Sequence, residues 1–193
     1  MPATGLHDIP GLSWGSHVCM FYTSSAQLQQ LRASYIYAGL QAHERCVWVT
    51  TDPVTPAMAM AALSRVGCDV ENYVRIGQLS VSAHTDWYLP DGRFEGQRSL
   101  ETWSELLQAA GKRGFAALRA TGDPAWPSSA EDRRAFLQFE HDATGVIAGQ
   151  PFMALCTYPT SGCSPTDMCD VMAAHHATLV PSSTGWKHMT VGY

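Results

Sequence analysis

The sequence predicts an α/β protein in three layers, a mainly parallel sheet flanked by helices. Short apolar runs alternate with segments of helical period along almost the whole chain, the pattern of strand–helix–strand units. Those runs are nearly continuous rather than alternating with polar residues, as strands covered on both faces require. The chain has 193 residues, 46% of them hydrophobic and 15% charged, which is enough to bury one full core. A single domain over residues 1–193 is expected, with its core running from about 11 to 180.

The first predicted strand is "HVCMFY", and Ser24 or Ser25 is placed to cap the helix after it. Leu28, Leu31, Tyr35 and Ala38 give that helix its period. Residues 45–52, "RCVWVTTD", form the second strand; Pro53 and Pro56 punctuate a turn, and 57–66 is a helix. "YVRIGQLSVSA" reads as one or two short strands. "HTDWYLPDGRFEGQ" is a polar and aromatic connection, long enough to act as a lid or to be an ordinary surface loop. Leu100, Trp103, Leu106, Leu107 and Ala110 define an amphipathic helix that Gly111 or Gly114 ends. "FAALRATGD" is a strand entering a Gly-Asp-Pro turn. Phe136, Phe139, Ala143 and Ile147 mark the next helix, and "FMALCTYP" the next strand. Ser164 followed by Pro165 is a strong helix start, and Met168, Val171, Met172 and His175 share one face of that helix. The tail "ATLVPSSTGWKHMTVGY" adds a strand or hairpin.

Composition removes several functional classes. A net charge of −5 argues against a nucleic-acid-binding surface. The opening "MPATGLHDIPGLSWGSH" has no basic segment followed by an apolar one, so no signal peptide is expected. No run reaches the roughly 18 apolar residues that cross a bilayer. Of the six cysteines, Cys19, Cys46 and Cys156 sit inside apolar strand-like runs, and no CxxC pair occurs. Reduced thiols and a cytoplasmic location are therefore expected. Cys163, in the "TSGCSP" loop, is expected to be more exposed than Cys19 and Cys156 and readier to oxidise.

"GSHVCMFYTSSAQLQQLRASYIYAGLQAHERCVWVTTD", "GFAALRATGDPAWP", "FLQFEHD" and "ALCTYPTSGCSPTDMCDVMAAHH" occur in that order. Together they resemble the MEDS family, the methanogen/methylotroph sensory domains, over about residues 11–180. The resemblance implies a bacterial or archaeal signalling module that senses small hydrocarbon derivatives. It also implies output through a separate kinase, anti-sigma-type protein or transcription regulator, and a RecA/KaiC-type core in which Asp52 takes the place of the acid after the second strand. Two departures from a nucleoside triphosphatase stand out. The phosphate-binding consensus GxxxxGK[ST] is missing after the first strand, and "FAALRATGD" carries Arg119 in the strand that would end in a metal-binding aspartate. Without a glycine loop, lysine and metal ligand, ATP hydrolysis is not expected.

Tyr22, Asp52, Arg119, Asp123, Trp126 and Tyr158 fall at or just beyond predicted strand ends. There, on the carboxyl edge of a parallel sheet, ligands bind. Aromatic walls with a few polar groups suit a small-molecule pocket. Trp48, Trp87 and Tyr88 would add apolar surface, and Arg119 and Asp52 would orient a polar end of the ligand. Alternatively Arg119 pairs with Glu140 or Asp123 to lock a loop, Trp126 anchors loop packing, and Tyr158 caps a strand. The expected ligand-binding set is Tyr22, Asp52, Tyr88, Arg119, Trp126, Glu140, Tyr158, His17, Cys19 and Cys156, with no dedicated metal ligand and no cofactor identified.

The sequence thus points to a non-enzymatic sensing domain that binds a small, mostly apolar organic molecule and relays to a partner protein or through a homodimer. The alternative is a metal-, haem- or redox-responsive domain, or a degenerate nucleotide-binding enzyme, built on His17, Cys19 and Cys156. His17 and Cys19 share one strand face, and His175 or His176 could complete a ligand set for a soft metal. Against this, His17 starts its strand, the wrong end for a carboxyl-edge site, and reads as a hydrogen-bonded core or boundary histidine, Cys19 as plain core and His175 as a packing residue.

Overall fold

A computed structural model describes residues 1–124, 127, 129–161, 163–182 and 185–190. Its main sheet has, among these residues, seven strands in the order β5-β4-β6-β7-β3-β8-β9. They are β3 (His17–Tyr22), β4 (Arg45–Thr50), β5 (Leu79–Ala83), β6 (Leu118–Gly122), β7 (Phe152–Pro159), β8 (Ala177–Ser182) and β9 (Gly185–Thr190). All neighbours run parallel except the β8–β9 hairpin. A second, two-stranded sheet joins β1 (Ala3–Leu6) to β2 (Ile9–Gly11). The three-layer, mainly parallel architecture read from the sequence is what the chain adopts.

Side-chain alternation in the central strands divides the core in two. Val18 and Met20 of β3, Cys46 and Trp48 of β4, and Met153 and Leu155 of β7 pack in one cluster with α1 (Ser25–Gln41) and α2 (Pro56–Arg65). The β1–β2 hairpin closes this side: Leu6 and Ile9 are buried in the same cluster, so the core begins ahead of residue 11. On the other side Val47, Val49, Leu118, Ala120, Phe152 and Ala154 meet α4 (His84–Tyr88), α5 (Gly96–Lys112) and α6 (Ala130–Ile147). Cys19, Phe21 and Tyr158 continue that face toward α7 (Pro165–Ala173).

Helix starts follow local chemistry. Thr55, Ser129 and Ser164 each accept a backbone N–H of the first turn, and Ser164 forms a reciprocal capping box with Asp167. Ser24 is the N-cap of α1, but its hydroxyl makes no capping bond.

Two expectations are corrected. "YVRIGQLSVSA" holds one strand, β5, and its opening residues 73–75 are helical instead: α3 (Val70–Arg75) is capped by the Asp69 carboxylate on Asn72 N, and Gly77, at φ +65, turns the chain into β5. The connection after β5 opens with α4 rather than a loop. Tyr88 is buried there and Trp87 stacks 4.8 Å from Trp103, because burying two large rings outweighs exposing them on a surface segment.

Candidate functional site

Small residues on neighbouring strands leave a hollow in the second core. Ala120 of β6 lies in register with Ala154 of β7, and Gly122 with Cys156. Above them sit large rings from the helices, including Tyr88, Trp103, Phe136 and Phe139. The small side chains cannot meet the rings, and a cavity of about 40 Å³ remains, several times what one water needs. Its lining is mostly apolar; His17, Glu140 and Cys156 converge at one end, and Thr121 and Asp123 line it where β6 ends. Pro124, Phe136 and Glu140 also line an open groove of about 570 Å³ beside α7, so these three residues separate the hollow from the surface.

Glu140 is the hub of the polar end. It falls on the buried stripe of α6 with Phe136, Phe139, Ala143 and Ile147. Its Oε2 lies 3.0 Å from His17 Nε2 and 3.5 Å from His175 Nε2, and its Oε1 accepts the Tyr158 hydroxyl at 3.1 Å. Cys156 Sγ is 3.4 Å from His17 Nε2 and 3.6 Å from Glu140 Oε2. The rings of His17 and His175 lie 4.1 Å apart. His17, Glu140 and His175 are all at most 2% exposed.

The outer hydrogen bonds set the imidazole tautomers. Thr144 Oγ1 is 2.5 Å from Ala174 O and donates its single proton there, so His17 Nδ1, 2.8 Å away, donates to Thr144. His175 Nδ1 donates to Val171 O at 2.7 Å. With Nδ1–H of both rings committed outward, Nε2 of each is the nitrogen that faces the Glu140 carboxylate. Burial, and secondarily the neighbouring His175, lower His17 to about 4, so the ring is neutral near pH 7. Burial pushes the Cys156 thiol and the Tyr158 phenol well up. His175 Nε2 has no hydrogen-bond partner.

The sequence-predicted residues lie in several different places. His17, Tyr88, Glu140 and Cys156 line the cavity, and Tyr158 backs it through Glu140. Cys19 turns to Thr178 Oγ1 at 3.2 Å and Ala177 O at 3.7 Å, its thiol pushed up to about 12 by burial.

Tyr22 does lie at the carboxyl edge, but there it closes an ionic cluster. Its hydroxyl donates to Asp123 Oδ2 at 2.7 Å, and Arg32 Nη2 reaches the same oxygen at 3.0 Å as well as Thr157 Oγ1. Asp52 is solvent-exposed, and Trp126 lies outside the described residues.

Arg119 is on the other face of the sheet, because the alternation that turns Ala120 toward the cavity turns its neighbour away. Its donors reach Glu44 Oε2 and Oε1 at 2.6 and 3.0 Å, Tyr35 O at 2.9 Å, Ala3 O at 2.8 Å and Thr4 O at 3.5 Å. A Cβ at Gly39 would lie 2.6 Å from Arg119 Nε, so α1 needs glycine there. Arg119 is therefore an anchor for the N-terminal hairpin, and its partner is Glu44 rather than Glu140 or Asp123. Trp48 is buried on that same face. Sequence reasoning missed Glu44, Arg32 and Thr144. A buried acid at the helix–strand junction "HERC" and an arginine inside the apolar period of α1 were the available signals.

No curated protein matches the chain. Among solved structures, a KaiC-like protein from the hyperthermophilic archaeon Pyrococcus horikoshii is similar in fold. It has a TM-score of 0.66 at 14% identity, over 97% of this chain and 85% of that one. Residues 16–176 match the family described as "MEthanogen/methylotroph, DcmR Sensory domain". That span takes in β3 to β7, the cavity and the Glu140 cluster, and the chain belongs to the MEDS family of sensory domains.

Proposed function

We propose that this chain is a non-enzymatic sensing domain that admits a small, mostly apolar organic molecule, a hydrocarbon derivative, into the hollow between β6–β7 and α5–α6. The observation that carries the reading is the cavity itself: a mostly apolar chamber with a polar cluster at one end, in a domain of a sensory family. Apolar walls reward burial of a guest's carbon surface, and His17, Glu140 and Cys156 are placed to recognise one polar or polarisable atom.

The seat of recognition lies mainly on the face of the sheet and meets the carboxyl edge at the end of β6, where Tyr22 and Arg32 hold the Asp123 carboxylate. Those contacts, with the missing phosphate-binding loop, argue against turnover of nucleotides. A guest pressing on Phe136 and Phe139 would shift α6 against the sheet, and the outer surface of α6 would carry the change to a partner protein or a second copy.

The test is a thermal-shift screen with short alcohols, halocarbons and single-ring aromatics. A guest present at 100 times its Kd stabilises by about 2.7 kcal/mol, a rise of roughly 5–11 °C for a domain of this size. Absence of any shift at millimolar concentration across all three classes refutes the reading.

A further inference from the structure

We infer that His17, Glu140, Cys156 and His175 form a four-coordinate site for a divalent transition metal, zinc being the best fit. The inference goes beyond the sensing reading and does not depend on what fills the cavity. The ligand atoms of these four residues lie within 4.8 Å of one another. A tetrahedral ion with bonds of about 2.0–2.3 Å requires ligand atoms roughly 3.3–3.8 Å apart. The contacts His17 Nε2 to Glu140 Oε2, His17 Nε2 to Cys156 Sγ, His175 Nε2 to Glu140 Oε2 and Glu140 Oε2 to Cys156 Sγ measure 3.0, 3.4, 3.5 and 3.6 Å. Two nitrogens, one oxygen and one sulfur are a borderline-soft donor set that suits zinc.

Three further observations point to a cation. Both histidines commit Nδ1–H to an outer acceptor, Thr144 Oγ1 and Val171 O, the arrangement that orients metal-bound imidazoles with Nε2 free to ligate. His175 Nε2 is buried without a hydrogen-bond partner, a cost that a bound ion removes. The Nε2 atoms and the Glu140 carboxylate face one another, and among the described residues the donors beside them are a thiol and the Tyr158 hydroxyl. A positive charge at their centre converts mutual repulsion into coordination.

The ligands come from β3, α6, β7 and the segment just past α7, so the ion would staple four elements across the second core. Binding replaces the S–H bond of Cys156 with a sulfur–metal bond and releases the proton to solvent. With four protein ligands the site is closed, so it is a structural ion at the end of the cavity rather than a hydrolytic one.

The test uses the whole chain. Metal analysis of protein expressed in zinc-supplemented medium is expected to find about one ion per chain. Chelator-treated protein titrated with cobalt(II) is expected to gain a thiolate-to-cobalt absorption band and a higher Tm. Cys156→Ser abolishes the band and Cys169→Ser, on the exposed side of α7, leaves it. His175→Gln lowers affinity, and Thr144→Val lowers it by roughly 10- to 100-fold through the orientation of His17. Folded wild-type chain that takes up no cobalt or zinc, or a band that survives in Cys156→Ser, overturns the assignment. If the substitutions unfold the chain, the chelation and reloading arm on the wild type decides alone.

Discussion

Gly122 offers a direct test of the cavity. It ends β6 at the cavity wall with a backbone conformation open to any residue, and among the described residues a Cβ built there would meet Val49, at 3.9 Å. Gly122→Ala therefore adds a methyl group to empty space. Two contributions follow. Replacing glycine within a strand recovers roughly 0.5–1 kcal/mol of unfolded-state entropy, and burying one carbon adds about 0.8 kcal/mol. The variant is expected to be more stable by about 1–2 kcal/mol in urea denaturation, with Tm raised by roughly 2–8 °C. The same methyl takes a large share of a cavity of about 40 Å³. Any organic probe that raises the wild-type Tm should bind at least about tenfold more weakly, which removes about 1.4 kcal/mol of its stabilisation. A variant destabilised by more than about 1 kcal/mol would show that the hollow is not there. One that keeps the full wild-type response would show that the guest sits elsewhere.

Glu44→Ala leaves Arg119 buried without its carboxylate partner and should cost about 3–5 kcal/mol in urea denaturation. It should not alter which probes stabilise the protein, since the pair lies on the face opposite the cavity; a change in probe selectivity would restore Arg119 to the ligand site. Magnesium-ATP at millimolar concentration should give neither a thermal shift nor phosphate release, because Asp123 is already held by Tyr22 and Arg32; turnover measured by phosphate release would contradict this. In thiol labelling of the native chain near pH 8, exposed Cys169 should react first. Cys19, Cys46 and Cys156, whose thiols burial pushes up, should stay unlabelled until denaturant is added, and early labelling of Cys156, followed by mass spectrometry, would refute the packing described.

Much of the fold was legible because its signals are local. The nearly unbroken apolar run of β4 and the helical spacing of Phe136, Phe139, Ala143 and Ile147 announce covered strands and a helix with one buried stripe. Serine followed by proline at 164 and 165 announces α7. The β1–β2 hairpin escaped notice because its few apolar residues, Leu6 and Ile9, are buried by contact with the distant α1 side rather than by any pattern of their own. "YVRIG" misled because β-branched residues suit a strand, while the Asp69 cap and the packing of Tyr73 and Val70 on the first core decided for a helix.

The site divides along the same line. Tyr22, Arg119 and Tyr158 could be assigned to strands from sequence, but neighbouring residues on one strand face opposite sides of the sheet, and only the register of several strands fixes which side is the cavity. By itself the sequence determined the class of fold, the family and the absence of a phosphate-binding loop, since each is written in contiguous residues whose spacing sets their local geometry. Tertiary structure alone decided that His17, Glu140, Cys156 and His175 meet. They lie far apart along the chain, and their approach depends on strand order, on the pairing of β3 with β7 and on how α6 packs over both.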